Sequence, residues 1–453
     1  WPTAYRFEWQ FFIHFFQAKG PQMSNSFVLK NVKIGDGAAT DIQVEDDKIV
    51  AIGSGLSAAE SIDCTGLVAL PGFVDLHTHL REPGFEQSET VLTGTQAAAM
   101  GGFTAVHAMA NTSPVADTAG VVEQVAALGR EAGYADVYPI GAVTVGLEGK
   151  QLAELGAMAN SKAQVRVFSD DGKCVHDPVL MRRALEYVKA FGGVIAQHAQ
   201  EPRLTEGAQM NEGAVSAELG LTGWPAVAEE SIIARDVLLA EHVGSRVHIC
   251  HLSTAGSVEI VRWAKARGIQ VTAEVTPHHL LLTDELVRSY DAVYKVNPPL
   301  RTAADVVALR EALVDGTIDI IATDHAPHPI ESKDCEWSAA AFGMLGLETA
   351  ASIAQDVLID SGKSSWSRLA EVLSVNPAKI GSDAEQGQGL VVGAFANIAL
   401  IDPTVKRKVV ADSASKSKNS PYVGLELPGK VVHTIYRGYF TVRNGELAKS
   451  GRN

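Results

Sequence analysis

A repeated alternation of short apolar runs with helix-like stretches most constrains how this chain folds. We count eight such runs between about residues 71 and 385. In the stretches between them, for example 229–243 and 304–314, apolar residues recur at three- and four-residue spacing, which predicts helices with one buried face. Eight strand–helix units favour a TIM barrel, an α/β fold. The runs span residues 72–77, 103–109, 136–143, 164–168, 193–198, 246–251, 270–276 and 318–324.

The segments on either side of this repeat are typical of β-structure. Apolar and polar residues alternate from Asn25 to about Leu70, and the same pattern returns after about Gln386. We therefore expect a small β-sandwich domain built from both termini, 23–70 and 386–453, beside a catalytic barrel of residues 71–385. Residues 1–22 begin with Trp and are rich in aromatic residues, so we interpret them as an extension upstream of a native start at Met23.

Charge and cysteine content exclude several classes of protein. The formal net charge is −15, spread along the chain, which argues against nucleic acid as a partner. The aromatic run at 11–16 is far shorter than the ~20 apolar residues that span a bilayer, so no membrane association is expected. The four cysteines lie far apart with no CxxC pair, which does not fit a disulfide framework. The sequence therefore predicts a cytoplasmic enzyme.

Polar side chains follow six of the eight runs. Since active sites of barrels form at the carboxyl ends of the strands, these side chains should converge on one mouth. The strand alternation in His77-Thr78-His79 points both rings to the same side. A single His or Asp at a strand end is usually structural, but this many at equivalent positions indicates a mono- or dinuclear zinc site. The candidate ligands are His77, His79, Asp170, Asp171, His198, His251 and Asp324.

Six motifs resemble the dihydroorotase family, in the class that has an aspartate where relatives carry a carbamylated lysine. They are PGFVDLHTHLREPG (71–84), FSDDG (168–172), HICHLST (248–254), AEVTPHHLLL (273–282), NPPLR (297–301) and ATDHAPH (322–328). The resemblance runs from about Val28 to about Gly445. It implies an amidohydrolase barrel with one or two zinc ions per subunit. The implied reaction is the reversible cyclisation of N-carbamoyl-L-aspartate to L-dihydroorotate in pyrimidine biosynthesis.

The resemblance also implies roles for individual residues. His77, His79 and Asp324 would bind one zinc, His198 and His251 would bind a second, and Asp171 would bridge the two. Asp324 is also the predicted catalytic residue, because a carboxylate beside the attacking water can take its proton and return it to the ring nitrogen. Arg81, on an extended exit from the first strand, and Asn111 would clamp the exocyclic carboxylate. The other implied substrate contacts are Asn297, His328, Phe342 and Gly343.

Other polar residues near these motifs are expected to have supporting roles. His278, His279 and His325 would pack against or orient the ligands, and Lys173 would face solvent. Structural roles are expected for His107, Cys174, Cys250 and Cys335.

Two alternative functions remain at this point. A hydantoinase- or allantoinase-like cyclic amidase would share the metal ligands, although Arg81 and the absence of a lysine after the fourth run count against it. A non-catalytic scaffold with the same fold is disfavoured because no ligand is missing. The resemblance further implies a homodimer that can associate with aspartate carbamoyltransferase.

Overall fold

The computed structural model describes residues 25–448. The prediction for residues 1–22 lies outside the described residues. Within 25–448, no helix combines the length and the apolar character that crossing a membrane requires.

The described chain forms strands and helices that we number in chain order. The strands are β1 (Ser26–Ile34), β2 (Ala39–Glu45), β3 (Lys48–Gly53), β4 (Glu60–Asp63), β5 (Val68–Pro71), β6 (Phe73–Thr78), β7 (Phe103–Ala108), β8 (Asp136–Pro139), β9 (Val167–Phe168), β10 (Val194–Gln197), β11 (Met210–Asn211), β12 (Gly223–Trp224), β13 (Val247–Ile249), β14 (Val271–Val275), β15 (Ile320–Ile321), β16 (Ile398–Lys408), β17 (Glu426–Tyr436), β18 (Tyr439–Arg443) and β19 (Glu446–Leu447). The α-helices are α1 (Val91–Met100), α2 (Ala119–Ala132), α3 (Leu155–Asn160), α4 (Pro178–Lys189), α5 (Ala214–Leu219), α6 (Val227–Val243), α7 (Ala255–Ala266), α8 (Pro277–Leu281), α9 (Ala303–Asp315), α10 (Ala350–Gln355), α11 (Trp366–Ala370) and α12 (Asn376–Gly381).

Eight parallel strands close into a barrel. One arc runs β6-β7-β8 and the other runs β9-β10-β13-β14-β15. The arcs join where Gly141, just after β8, pairs with Phe168 of β9, and where Thr78 of β6 pairs with His325, just after β15. Each predicted run overlaps one of these strands, so the TIM barrel prediction is confirmed.

Seven of the eight barrel strands are shorter than the runs that predicted them, and β8, β9 and β15 show why. β8 ends before Val143, because Oδ1 of Asp170 accepts hydrogen bonds from the backbone of Val143 (2.8 Å) and Thr144 (3.0 Å). β9 starts late and β15 ends early, since Gln164 and Asp324 have φ angles of +49° and +46°, which a strand does not allow. The apolar runs extend beyond the hydrogen-bonded strands because the buried residues that flank a strand are apolar as well.

The helices around the barrel bury one face each. The predicted helical stretches 229–243 and 304–314 lie within α6 and α9. Helix α9 begins with a capping box, in which Thr302 and Asp305 each bond the other's backbone N–H through the side chain. It ends at Gly316, whose φ of +86° is the left-handed conformation that closes a helix.

Strands from the two ends of the chain form one nine-stranded sheet. Its order is β19-β18-β17-β16-β5-β1-β2-β3, with β4 beside β1. Lys48 of β3 also bridges to Phe395, so the sheet curls around a core of its own that includes Phe27, Ile42 and Leu400. The predicted β domain from both termini is confirmed. The exact domain boundaries, after residues 70 and 385, stay predictions.

Loops at the carboxyl end of the barrel pack into a separate small core. β11, α5 and β12 lie between β10 and α6 in the chain. Met210 and Val215 from this insertion cluster with Val287, Trp337 and Ala340. This packing holds the segments 284–295 and 329–342 together beside the mouth of the barrel.

Candidate active site

All six predicted metal ligands meet at the carboxyl end of the barrel. His77 lies on β6 and His79 follows it, while the other four follow β9, β10, β13 and β15. None of the six is more than 5% exposed. They are His77, His79, Asp171, His198, His251 and Asp324.

The carboxylates of Asp171 and Asp324 lie close to the rings of both His77 and His79. Nε2 of His79 is 3.0 Å from Oδ1 of Asp324 and 3.3 Å from Oδ2 of Asp171. Nε2 of His77 is 3.4 Å from an oxygen of each carboxylate, and it is buried without a hydrogen-bond partner. An orphaned, buried ring nitrogen that faces two carboxylates fits the binding of a cation between them.

Asp171 is shared between this group and a second one. Its Oδ1 lies 3.2 Å from Nδ1 of His198 and 3.4 Å from Nε2 of His251, and the two ring nitrogens are 2.9 Å apart. Its Oδ2 faces His79 instead. Since Oδ1 also lies 3.4 Å from Nε2 of His77, the Asp171 carboxylate contacts both sets of histidines, as a bridging ligand must.

The electrostatics of the cluster also fit a bound cation. Burial raises the pKa of Asp171, but its interactions with the surrounding histidines, first of all with the charge of His77, outweigh burial and hold that pKa well below its usual range. Burial lowers the pKa of His77, yet Asp171, Glu274 and Asp324 raise it overall. Positive charge at the centre stabilises both carboxylates. Imidazole nitrogen with carboxylate oxygen is a donor set that suits a divalent transition metal.

Hydrogen bonds outside the cluster fix which ring nitrogen faces its centre. Nδ1 of His79 donates to Oδ1 of Asn111 (3.0 Å), and Nε2 of His198 donates to Oε1 of Gln200 (2.8 Å). Since each donating nitrogen carries the proton, the other nitrogen of the ring keeps a lone pair. Asn111 therefore orients a predicted ligand, a role that the sequence did not indicate.

Glu274 of β14 is the main site residue that sequence reasoning missed. Its Oε1 accepts from Nδ1 of His77 (2.7 Å) and from the backbone N–H of His251 (3.1 Å), and its Oε2 accepts from His248 (2.9 Å). It thus touches a residue of each ligand set. The available signal was a charged residue inside an apolar strand, because buried carboxylates are rare unless they are paired.

Three residues of the site have a left-handed backbone. Arg81, His251 and Asp324 have φ angles of +64°, +31° and +46°. Non-glycine residues seldom adopt this conformation, and it is found where a surrounding fold enforces it. The prediction that Arg81 continues an extended strand is therefore wrong.

The Arg81 side chain lies in the mouth without a carboxylate partner among residues 25–448. Its Nε donates to the carbonyl oxygen of Pro327 (3.2 Å), and its Nη2 is 3.4 Å from Nε2 of His328. His328 donates from Nε2 to the carbonyl oxygen of Phe342 (2.8 Å), so that nitrogen cannot also accept from Arg81. Burial, together with the charge of Arg81, lowers the pKa of His328 to about 3, and the ring is neutral.

Gly343 is required by close packing behind His328. A Cβ at this position would lie 2.7 Å from Cβ of Ala326 and 2.9 Å from Nε2 of His328, and φ is +138°. Its N–H donates to the carbonyl oxygen of Lys295 (2.9 Å), and its own carbonyl accepts from Asn419 (3.2 Å). The backbone here is already hydrogen-bonded, so a contact with a substrate ring would have to share these groups.

The side chains predicted to contact the substrate are more exposed than the predicted metal ligands. Arg81, Asn111, Asn297, His328 and Phe342 are all partly exposed. Nδ2 of Asn297 donates to Oε1 of Gln200 (3.1 Å), while its Oδ1 is buried without a partner. The structure brings these residues to the rim of the same mouth.

The residues predicted to have supporting roles are placed as follows. The ring of His279 bonds Thr276 and the carbonyls of Pro298 and Pro299, next to Asn297. The ring of His325 faces Glu89 at 3.3 Å, and it is the carbonyl oxygen of His325 that accepts from the N–H of His79 (2.9 Å). Lys173 is exposed, as expected.

His278 and His107 contrast in their hydrogen bonding. His278 is fully buried with no hydrogen bond to either ring nitrogen, and burial lowers its pKa to about 4. His107 pairs with Asp383 at 2.8 Å, which is a structural contact.

Replacing Glu274 with Gln should weaken metal binding without creating a cavity in the barrel core. The amide keeps the size of the side chain but loses the charge that orients His77, and loss of such a partner typically costs about 10–100-fold in metal affinity. Competition with a chromogenic chelator measures this change.

The matched control is Glu229→Gln. Glu229 is buried like Glu274 and bonds Ser253 and Ser257, none of them a predicted ligand. Equal metal affinity in wild-type protein and the Glu274 variant would contradict the orienting role.

The family model that matches this chain and the relatives described below point to the same family. Residues 66–257 match the family model described as "Dihydro-orotase-like". A dihydroorotase of Leifsonia xyli subsp. xyli is 67% identical over 94% of this chain and 98% of its own. Those of Streptomyces coelicolor and Mycobacterium tuberculosis are 68% and 55% identical, each over 93% of this chain and 99% of its own.

Solved structures share the fold at lower identity. The L-hydantoinase (dihydropyrimidinase) of Arthrobacter aurescens aligns with a TM-score of 0.83 at 26% identity, over 93% of this chain and 97% of its own. The dihydropyrimidinase of Brevibacillus agri NCHU1002 aligns with a TM-score of 0.80 at 26% identity, over 93% and 96%.

Proposed function

The chain belongs to the dihydroorotase family, and we propose that it interconverts N-carbamoyl-L-aspartate and L-dihydroorotate with the side chains at the barrel mouth. It is a hydrolase that acts on a small cyclic amide. The observation that carries the choice of substrate is Arg81, a guanidinium in the mouth that forms no ion pair within residues 25–448. A substrate that brings its own carboxylate supplies the missing partner.

The metal of the site is proposed to be zinc, one or two ions per subunit. His77, His79 and Asp324 would hold one ion, His198 and His251 would hold the other, and Asp171 would bridge them. The shared position of Asp171 supports this division, since its two oxygens face different histidines. When bound there, zinc would lower the pKa of water to about 7 and polarise a carbonyl group.

Asp324 is proposed to move the proton between water and the ring nitrogen. The charge of His77 and the close approach of His79 hold its pKa below the usual range although burial opposes this, so it starts as a carboxylate able to accept a proton. After attack it returns the proton to the departing nitrogen, which makes that nitrogen a better leaving group. In the direction of synthesis, Asp324 takes a proton from the ureido nitrogen.

Residues on the rim would bind the rest of the substrate. Arg81 would pair with the exocyclic carboxylate through its two outer nitrogens, the geometry in which guanidinium binds carboxylate best. Nδ2 of Asn111 is free to join it, because Oδ1 is the atom that His79 uses. Asn297, His328 and the backbone at Phe342 and Gly343 are the proposed contacts to the ring, with the unpaired Oδ1 of Asn297 available as an acceptor.

The pH dependence of the equilibrium tests this function. Ring closure joins a carboxylate to a neutral nitrogen and releases water, so it consumes one proton. The ratio of dihydroorotate to carbamoylaspartate should therefore rise about tenfold for each unit of pH lowered, between about pH 6 and pH 9. Chromatography of both compounds after equilibration from each side measures the ratio. A ratio that does not change with pH, or no conversion at all, would contradict the proposed substrate pair.

We propose that the protein is a homodimer located in a reducing cytoplasm. We also propose that it can associate with aspartate carbamoyltransferase, as some members of the family do. Support for the reducing environment comes from Cys64, Cys174 and Cys250, which are buried as free thiols, and from Cys335, which is exposed as one. Light scattering of the purified protein, alone and mixed with the transcarbamoylase, tests the assembly.

A further inference from the structure

A cavity of about 1020 Å³ opens beside His328, outside the cluster of predicted ligands. Its walls come from Gln87 and from three segments, which lie within residues 290–293, 328–335 and 416–419. Its volume is at the upper end of the range for small-molecule pockets and exceeds what one ring needs. His328 lies between this cavity and Arg81, since its Nε2 is 3.4 Å from Nη2 of Arg81.

One wall of the cavity presents two lysines in a regular alternation. Ser415, Ser417 and Asn419 are buried, while Lys416 and Lys418 between them are exposed. Lys416 and Lys418 therefore lie on the exposed side of this segment, and both line the cavity. We call residues 415–419 the lysine strap.

The lysine strap is held firmly against the mouth. Ser415 and the N–H of Lys416 bond the carboxylate of Glu89, which also faces His325. Asn419 accepts from the N–H of His328 (3.1 Å) and donates to the carbonyl of Ala326 (3.0 Å). The positions of the lysines are thus fixed relative to the segment that follows Asp324.

Neither strap lysine is neutralised by an ion pair in the described part of the chain. Nζ of Lys416 donates to the carbonyl of Glu86, and Nζ of Lys418 donates to the carbonyls of Ser413 (2.6 Å) and Ser415 (2.9 Å). Carbonyl oxygens orient an ammonium group without pairing its charge, although the charge of Lys416 also acts on the nearby Glu86 carboxylate and helps to lower its pKa. Three exposed carboxylates, Asp291, Glu331 and Asp334, lie on the other walls.

We propose that this cavity is the entrance for substrate, and that Lys416 and Lys418 attract anions toward Arg81. This inference rests on the proposed function, in which both substrates are anions: carbamoylaspartate carries two carboxylates and dihydroorotate carries one. The chain itself carries a net charge of −15, so an anion approaching it is repelled on average. The two lysines add positive potential along one wall of this path, and positive potential raises the association rate of an anion.

The test is the double variant Lys416→Gln/Lys418→Gln, assayed in both directions. At an ionic strength of about 0.01 M, where charges act over about 30 Å, kcat/KM should fall roughly tenfold for the dianion and roughly threefold for the monoanion. At about 1 M salt the reach is about 3 Å, and both losses should disappear. The expected loss is larger for the dianion than for the monoanion because electrostatic attraction increases with the charge of the substrate.

Two further variants make the outcome decisive. Lys363→Gln removes one positive charge, half of what the double variant removes, from an exposed loop before α11 and should leave both rates unchanged. Glu331→Gln/Asp334→Asn removes negative charge from the opposite wall and should raise kcat/KM for the dianion roughly twofold to threefold at low salt. Equal losses for both substrates, or a loss that persists at 1 M salt, would overturn the inference. Wild-type protein that converts neither substrate would instead refute the proposed function and this inference with it.

Discussion

Replacing Asp324 with Asn is expected to lower kcat by about a hundredfold or more, the usual scale for a general acid–base group. The amide keeps an oxygen in the position that faces His79, which lies 3.0 Å away in the wild-type structure. It cannot accept the proton that water must lose. The bound metal should therefore remain largely in place while turnover is lost, and metal analysis of the assayed sample measures the first quantity.

Asp319→Asn is the matched control for this variant. Asp319 directly precedes β15, at the opposite end of the strand from Asp324, and accepts from Lys265 (2.7 Å) and from the backbone of Ala273 (2.8 Å). Its replacement should affect stability and leave kcat near the wild-type value. Near-normal turnover in the Asp324 variant would exclude its role as the proton carrier.

Replacing Arg81 with Met is expected to reduce kcat/KM for dihydroorotate by about thirty- to several-thousand-fold. The substrate carboxylate would enter the mouth without its partner, and loss of one member of a buried charge pair costs roughly 2–5 kcal/mol. That free energy converts to the stated range at ~1.4 kcal/mol per factor of ten. The zinc content should not change, since Arg81 contacts Pro327 and His328 and none of the predicted ligands.

Two controls separate the carboxylate clamp from a general loss of structure. Arg81→Lys keeps the charge but not the planar pair of donors, so its activity should fall between those of the wild type and the Met variant. Dihydrouracil has the same ring without the carboxylate, so wild-type protein should open it very poorly and the Met variant should lose little more. If wild-type protein opens dihydrouracil or a hydantoin as readily as dihydroorotate, the substrate is that of a hydantoinase-like enzyme.

The convergence of the candidate ligands could be predicted because these residues occupy equivalent places in a repeating pattern. His198 and His251 each end an apolar run, and a barrel brings the ends of all its strands together. Glu274 was not predicted because it lies inside its strand rather than after it. Its partner His77 is nearly two hundred positions away, and only closure of the barrel brings their side chains to 2.7 Å.

The local backbone at the mouth could not be predicted in the same way. Alternation within β6 predicts an extended Arg81, but its φ is +64°. The chain turns there because the segment after β15 pairs with Thr78 and its carbonyl at Pro327 accepts from the guanidinium. Such a conformation is stabilised by contacts with residues remote in sequence, which outweigh the local preference for a strand.

By itself the sequence determined the barrel, the β domain from both termini and the convergence of the histidines with Asp171 and Asp324. These follow from periodicity and from which residue types end each run, and both are local properties of the chain. Only the tertiary structure decided which ring nitrogen faces the centre, that Asn111 and Glu274 orient the rings, and that Arg81 has no carboxylate partner within residues 25–448. Those features depend on hydrogen bonds between segments that meet only when the barrel closes, and no local pattern encodes the distance or direction of such a bond.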